Sequence, residues 1–343
     1  MTVKKRFFGK TKDNKEVDAY TLSDNGIDVE ILTLGGTIRN IVINTPNGPR
    51  DICLGFDEVA DYESKTGYLG AIVGRYANRI GKAEFTLNGK KYSLDDNDGE
   101  NSLHGGYNAL DQKVFEATVA PDGLYLSIQS PDMENGYPGN LDIEVKYSLN
   151  NNELMIEYTA KSDMDTPVNL TNHAYFNLNG HDSGGIENHK MQIFADHITP
   201  IDETLIPTGE LLDVTDTVFD FREPGLIGPG LESTHRQMIL GDGYDHNFVL
   251  SDLPYRELAL AAVLESDGVK MTCLTTKPGV QFYCGNFLIG ETGKGNAKYD
   301  KRTGLCLETQ FWPDSVNKPG FPNSILKKGE IYRHTTVYKF ESI

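Results

Sequence analysis

The chain has 343 residues and a formal net charge of −18 at pH 7. So acidic a surface offers little to nucleic acid or to an anionic membrane, since both reward basic patches. No run approaches the ~18 apolar residues of a spanning helix, and the basic start at residues 1–10 has no apolar region behind it to make a secretory signal.

Strand-like runs separated by turns fill most of the chain, punctuated by 35 Gly and 15 Pro, with aromatics at 10%. Residues 27–34 form one such run, and residues 57–64 suit a short helix. Residues 83–94 hold two alternating runs around Asn88-Gly89. That pair signals a hairpin, because both central residues of a type I′ turn need positive φ. Further turn signals stand at Pro121-Asp-Gly, Asn150-Asn-Asn and Ser266-Asp-Gly, and residues 153–160 form another strand-like run. Length alone suggests about two domains, but all-β sandwiches often exceed the usual domain size. The expectation is an all-β fold, a single large antiparallel β-sandwich, with one domain over residues 1–343.

The cysteines Cys53, Cys273, Cys284 and Cys306 are far apart and sit in apolar runs. No C-x-x-C spacing supports zinc or redox chemistry. Buried free thiols in a reduced, cytoplasmic protein are the plain reading, and the sequon Asn169-Leu-Thr171 inside a strand-like run is then accidental.

Candidate chemistry lies in segments that mix strand pattern with polar groups. The first is Gly74-Arg-Tyr-Ala-Asn78-Arg79-Ile-Gly, followed by Asn101-Ser-Leu-His104-Gly-Gly. Arg79 offers a rigid fork of donors, and the glycines beside His104 give a ligand room. In residues 168–178, Val168, Leu170, Ala174, Phe176 and Leu178 share one face with Asn172. Asn169, Thr171, His173, Tyr175 and Asn177 share the other, which reads as a strand with a polar cleft-facing side. His173 titrates near neutral pH; its structural alternative is a buried ring bonded to a backbone carbonyl. Asp245 precedes an apolar run, where an Asx-turn is the alternative. Gln281 lies opposite the Val280, Phe282 and Cys284 face. Near the C-terminus Leu305, Leu307 and Phe311 alternate with Cys306, Glu308, Gln310 and Trp312. Loss of hydration there raises the pKa of Glu308 toward that of a useful general base, and Trp312 would offer a flat face to a sugar. A structural ion pair is the alternative for Glu308.

Other constellations fail. The sequence has no H-E-x-x-H or paired His/Cys spacing for a metal, no phosphate-binding glycine motif, and no G-x-S-x-G elbow. What remains is acid–base chemistry without a cofactor.

Seven blocks in order resemble the aldose 1-epimerase (galactose mutarotase) family. They are Gly74-Arg-Tyr-Ala-Asn-Arg-Ile, Asn101-Ser-Leu-His-Gly-Gly, Asn169-Leu-Thr-Asn-His-Ala-Tyr-Phe-Asn-Leu, Ile201-Asp-Glu-Thr-Leu-Ile-Pro-Thr-Gly, Tyr244-Asp-His-Asn-Phe, Gly279-Val-Gln-Phe-Tyr and Glu308-Thr-Gln-Phe-Trp-Pro-Asp. They run from about residue 70 toward the C-terminus, and no family motif is missing. The resemblance implies a mutarotase-like supersandwich whose cleft binds a free aldohexose, galactose or glucose, with no metal or organic cofactor. It implies His173 as general acid and Glu308 as general base, and Asn78, Arg79, His104, Tyr175, Asp245 and Gln281 as groups that hold the sugar. Ring opening, rotation about C1–C2 and re-closure would exchange the anomers, with His173 protonated while Glu308 is ionised. The expected partner is the sugar alone, with no nucleic acid and no membrane, and the protein a monomer or homodimer.

Three other readings fit less well. A hexose 6-phosphate epimerase would want an Arg/Lys cluster, and only Arg75 and Arg79 stand near a motif. A non-catalytic sugar-binding module leaves the acid and base unexplained. A glycosidase would need two carboxylates.

Overall fold

The turn residues determine which runs pair. In the computed structural model, which describes residues 1–343 except 65–66, 252–253 and 255–256, Asn88 and Gly89 take φ of 51° and 77°. They close the antiparallel hairpin of Glu84–Leu87 with Lys90–Ser93, as the Asn-Gly pair requires. Asn151 and Asn152, both at positive φ, join Leu141–Asn150 to Glu153–Ser162. Asp267 and Gly268 likewise join Ala259–Ser266 to Val269–Thr275. The expected strand at 27–34 is Ile27–Leu32 and the expected helix at 57–64 is Val59–Ser64.

Among the described residues these hairpins build one large sheet of nine strands, one of six and an N-terminal one of five. Every strand pair is antiparallel, as in Leu141–Asn150, whose inward residues are buried and whose outward ones are mostly not. The fold is an all-β antiparallel sandwich. Val280, Phe282, Leu305, Leu307 and Phe248 of the six-stranded sheet share a core with Leu264, Met271, Tyr338 and Phe340 of the nine-stranded one. Burying each such side chain contributes about 1.5–3 kcal/mol. Two polar links cross between the sheets: Tyr338 Oη donates to the Leu307 carbonyl at 2.8 Å, and the hydroxyls of Thr309 and Thr336 lie 2.6 Å apart.

The run 168–178 departs from the continuous strand expected of it. Ladder pairing survives only at Thr171–Asn172 and Tyr175–Phe176, with His173 in the break between them. There the His173 N–H donates to the Ala71 carbonyl and its carbonyl accepts from the Gly70 N–H, and side chains bond the neighbouring backbone. Asn172 accepts from the Ala174 N–H and donates to the Gly70 carbonyl. Asn169 donates to the carbonyls of Ala77 and Phe311, and Asn177 to those of Gly184 and Thr303. Backbone groups in a broken ladder must still find partners, so the three asparagines of this run knit loops together, while His173 and Tyr175 face the cleft. Its apolar set is buried in the core as the alternation predicts.

All four cysteines are free and buried. Among the described residues no helix is long and apolar enough to cross a membrane.

Candidate active site

The six-stranded sheet turns its apolar residues to the core and its polar ones outward. In Asp245–Val249, Gly279–Tyr283 and Leu305–Gln310 the period of two places Asp245, Asn247, Gln281, Tyr283, Cys306, Glu308 and Gln310 on the outer face. Register then sets neighbours: Gln281 lies opposite Glu308 on one side and Asn247 on the other, and Tyr175 lies opposite Cys306. Glu308 is buried although it faces outward. Loops around Tyr68, Asn78–Arg79, Asn97–His104, Leu205 and Phe287–Ile289 wall this face into a cleft of about 520 Å³.

His173 and Glu308 meet there, with Nε2 3.6 Å from Oε1. The other carboxylate oxygen, Oε2, is buried with no hydrogen-bond partner among the described residues. His173 Nδ1 lies 3.5 Å from the Cys306 sulfur. Rings of Tyr68, His104 and Tyr175 surround His173, with centroids 5.8, 5.2 and 5.1 Å from its own.

The remaining groups form one network. The Asn78 backbone N–H donates to His104 Nδ1 at 3.1 Å. A neutral His104 therefore carries its proton on Nε2 and is a donor. Arg79 Nε donates to Asp98 at 2.7 Å, and its Nη1 lies 4.0 Å from Asp245. Gln281 donates to Asp245 at 2.7 Å and accepts from Gln310 at 3.1 Å.

Burial dominates the electrostatics. It pushes Glu308 well above the usual carboxylate range, with the charge of Asp245 acting the same way and Arg79 opposing. It lowers His173 to about 4. Burial raises Asp245 too, against Arg79 and Gln281, and it drives His104 well below 6.5. Both members of the His173–Glu308 pair are thus pushed toward their neutral forms. This is the opposite of the protonated-histidine, ionised-carboxylate distribution that the expected mechanism requires. At 3.6 Å no direct hydrogen bond stabilises the ion pair against desolvation.

Of the eight residues singled out from sequence, seven line the cleft: Asn78, Arg79, His104, His173, Tyr175, Asp245 and Glu308. Gln281 lies beneath them and orients Asp245. Trp312 departs from expectation. The strand ends at Gln310, the indole donates to the Pro278 carbonyl, and the ring packs edge-on against Phe321. The exposed aromatic surface belongs instead to Phe287, stacked on Tyr283. Sequence reasoning passed over Tyr68, Asn97, Asp98 and Tyr283; only Tyr283 had a signal, its alternation with Gln281. Arg75 is engaged elsewhere, donating to Ser130 and to the carbonyls of Pro131, Pro138 and Gly139.

His104, His173 and Glu308 place potential metal-ligand atoms within 4.8 Å of one another. The set does not suit a cation: the bond from Asn78 to Nδ1 leaves His104 with N–H, not a lone pair, on Nε2. Two other grooves match the cleft in volume, about 500 and 580 Å³, but neither brings a histidine to a buried carboxylate.

The family described as aldose 1-epimerase matches residues 18–339. A Bos taurus protein named galactose mutarotase is 45% identical over 326 residues, 94% of each chain. The aldose 1-epimerase of Escherichia coli K12 is 37% identical over 335 residues, 96% of each. Among solved structures, the galactose 1-epimerase from Lactobacillus acidophilus NCFM has a TM-score of 0.87 at 30% identity, covering 99% of both chains. By fold, by motif order and by extended similarity, this chain belongs to the aldose 1-epimerase family.

Proposed function

We propose that this protein is an aldose 1-epimerase that exchanges the α and β anomers of free aldohexoses, galactose and glucose among them. The observation that carries this reading is the buried His173–Glu308 pair, 3.6 Å apart on the cleft floor. An aldopyranose is a cyclic hemiacetal, so exchanging its anomers requires opening the ring. Glu308 takes the proton of the C1 hydroxyl while His173 protonates the ring oxygen, and the C1–O5 bond breaks to give the aldehyde. Rotation about C1–C2 presents the other carbonyl face. Reverse transfers close the ring.

The pair carries one proton throughout. To open the ring it must first reside on His173, a distribution that burial opposes and that Arg79 assists by favouring the ionised Glu308. After ring opening both side chains are neutral, the distribution that burial favours. Each positioned proton-transfer group contributes on the order of 10²–10⁴-fold.

Asn78, Arg79, His104 and Asp245 meet the sugar hydroxyls, with Gln281 holding Asp245 and Tyr175 forming a wall. An uncharged sugar fits this set. Among the described residues a phosphate would face Asp98, Asp245 and Glu308 with Arg79 as the one cleft-lining guanidinium, because Arg75 is bonded elsewhere. The buried free thiols support a reducing, cytoplasmic setting. A core cluster running from Tyr20 to Phe340 supports one domain.

The test is polarimetry of freshly dissolved α-D-galactose and α-D-glucose. The protein should speed the decay of optical rotation; a decay equal to the buffer blank for both sugars refutes the reading.

A further inference from the structure

Lys277 has no place in the chemistry above, yet its surroundings are unusual. It is fully buried, and lysine is almost never buried without an acidic partner. Among the described residues it has no ion-pair partner. Its Nζ donates to the carbonyl of Leu170 and to that of Thr309, the latter at 3.3 Å, and sits 4.0 Å from the Tyr158 ring centroid. Leu170 lies three residues before His173, and Thr309 directly follows Glu308. One amine therefore ties together the backbones of the two segments that carry the proposed acid and base.

We propose that Lys277 is a positioning residue for the acid–base pair, clamping the His173 segment to the Glu308 strand from the core side. The inference rests on the roles proposed for His173 and Glu308. The His173 backbone is bonded to Gly70 and Ala71, but its run pairs with the Glu308 strand only at Tyr175–Phe176, opposite Cys306 and Leu305, so no ladder bond ties the two proposed catalytic positions to each other. Glu308 does not supply such a tie, since Oε2 has no partner and Oε1 stays 3.6 Å from the ring. Burial pushes the Lys277 amine well below its ordinary pKa. A neutral amine has two N–H donors, matching its two carbonyl acceptors without leaving an uncompensated charge in the core.

The test compares Lys277→Met, which keeps the unbranched stem but removes the amine, with Lys277→Gln, which keeps one donating group. Displacing a reacting group by about 1 Å costs up to ~10²-fold. The kcat of Lys277→Met should fall about ten- to a hundredfold with KM within about twofold, and Lys277→Gln should lie between it and wild type. The His173 imidazole signals in ¹H–¹⁵N spectra should shift in both variants, a readout independent of turnover. Wild-type kcat in both variants overturns the proposal, and so do unshifted His173 signals. A loss of kcat no larger than the loss of folded protein overturns it as well. Failure of the epimerase reading would show separately, as inactivity of the wild type.

Discussion

Glu308→Gln isolates the proposed base from everything else the residue does. The amide has the size of the carboxyl it replaces, and burial already favours an uncharged group at this position. Glu308 Oε2 has no hydrogen-bond partner to lose, and Oε1 is 3.6 Å from His173 Nε2. Stability should therefore change by less than about 1 kcal/mol. The amide cannot accept the C1 hydroxyl proton. Loss of a general base costs about 10²–10⁴-fold, which is roughly 2.7–5.5 kcal/mol of barrier. That loss should fall on kcat, with KM nearly unchanged, because the groups proposed to hold the sugar are untouched. Polarimetry across a series of galactose concentrations separates the two constants, and a thermal melt checks the fold. Turnover within about tenfold of wild type would refute the reasoning, as would a loss explained by a lower melting temperature.

Stability should depend on pH through buried histidines. Burial lowers His173 and His189 to about 4, and His246 and His334 to about 3, from 6.5. Each is depressed in the fold, so its stabilisation is complete above pH 6.5 and is lost as pH falls toward 4–3. The loss is about 3–5 kcal/mol per residue. Glu308 and Asp245, raised in the fold, oppose the trend. The melting temperature should drop steeply between pH 6.5 and 4, and a flat profile contradicts the assignment. Gly105→Ala should loosen the His104 loop: Gly105 has φ of 98°, and an added Cβ would lie 2.1 Å from the Gly74 carbonyl oxygen. Backbone strain of this kind costs about 1–3 kcal/mol. A lower melting point and a raised KM for galactose are expected, and wild-type values for both would refute it.

Much of this was legible in the sequence because strands and turns are local. Asn88-Gly89 announced its hairpin because both residues tolerate the positive φ that its turn requires, and alternation put Glu308 and Gln281 on one face. Seven of eight singled-out residues line the cleft, Asp245 and Glu308 by alternation, but Asn78 and His104 from loops at positive φ. What failed was extrapolation past the end of an element. Trp312 continues the alternation of Glu308 on paper, but the strand stops at Gln310 and the indole finds Pro278. Asn169 and Asn177 looked like ligand-facing groups, and instead satisfy backbone carbonyls where the ladder is broken. Long-range contributions were invisible. Asp98 reaches Arg79 through a loop, and Tyr68 meets both histidine rings from outside any strand. The proton distribution was also beyond the sequence, since it depends on how deeply the pair is buried.

The most direct test of the central claim is a double-mutant cycle on the pair. Anomer exchange of galactose is measured by ¹H NMR for wild type, His173→Asn, Glu308→Gln and the double variant. Groups that hand one proton between them act as a unit, so losses from removing either do not add. The double variant should be about as slow as the slower single variant. Losses that multiply across the two positions would contradict a shared proton and, with it, the mechanism.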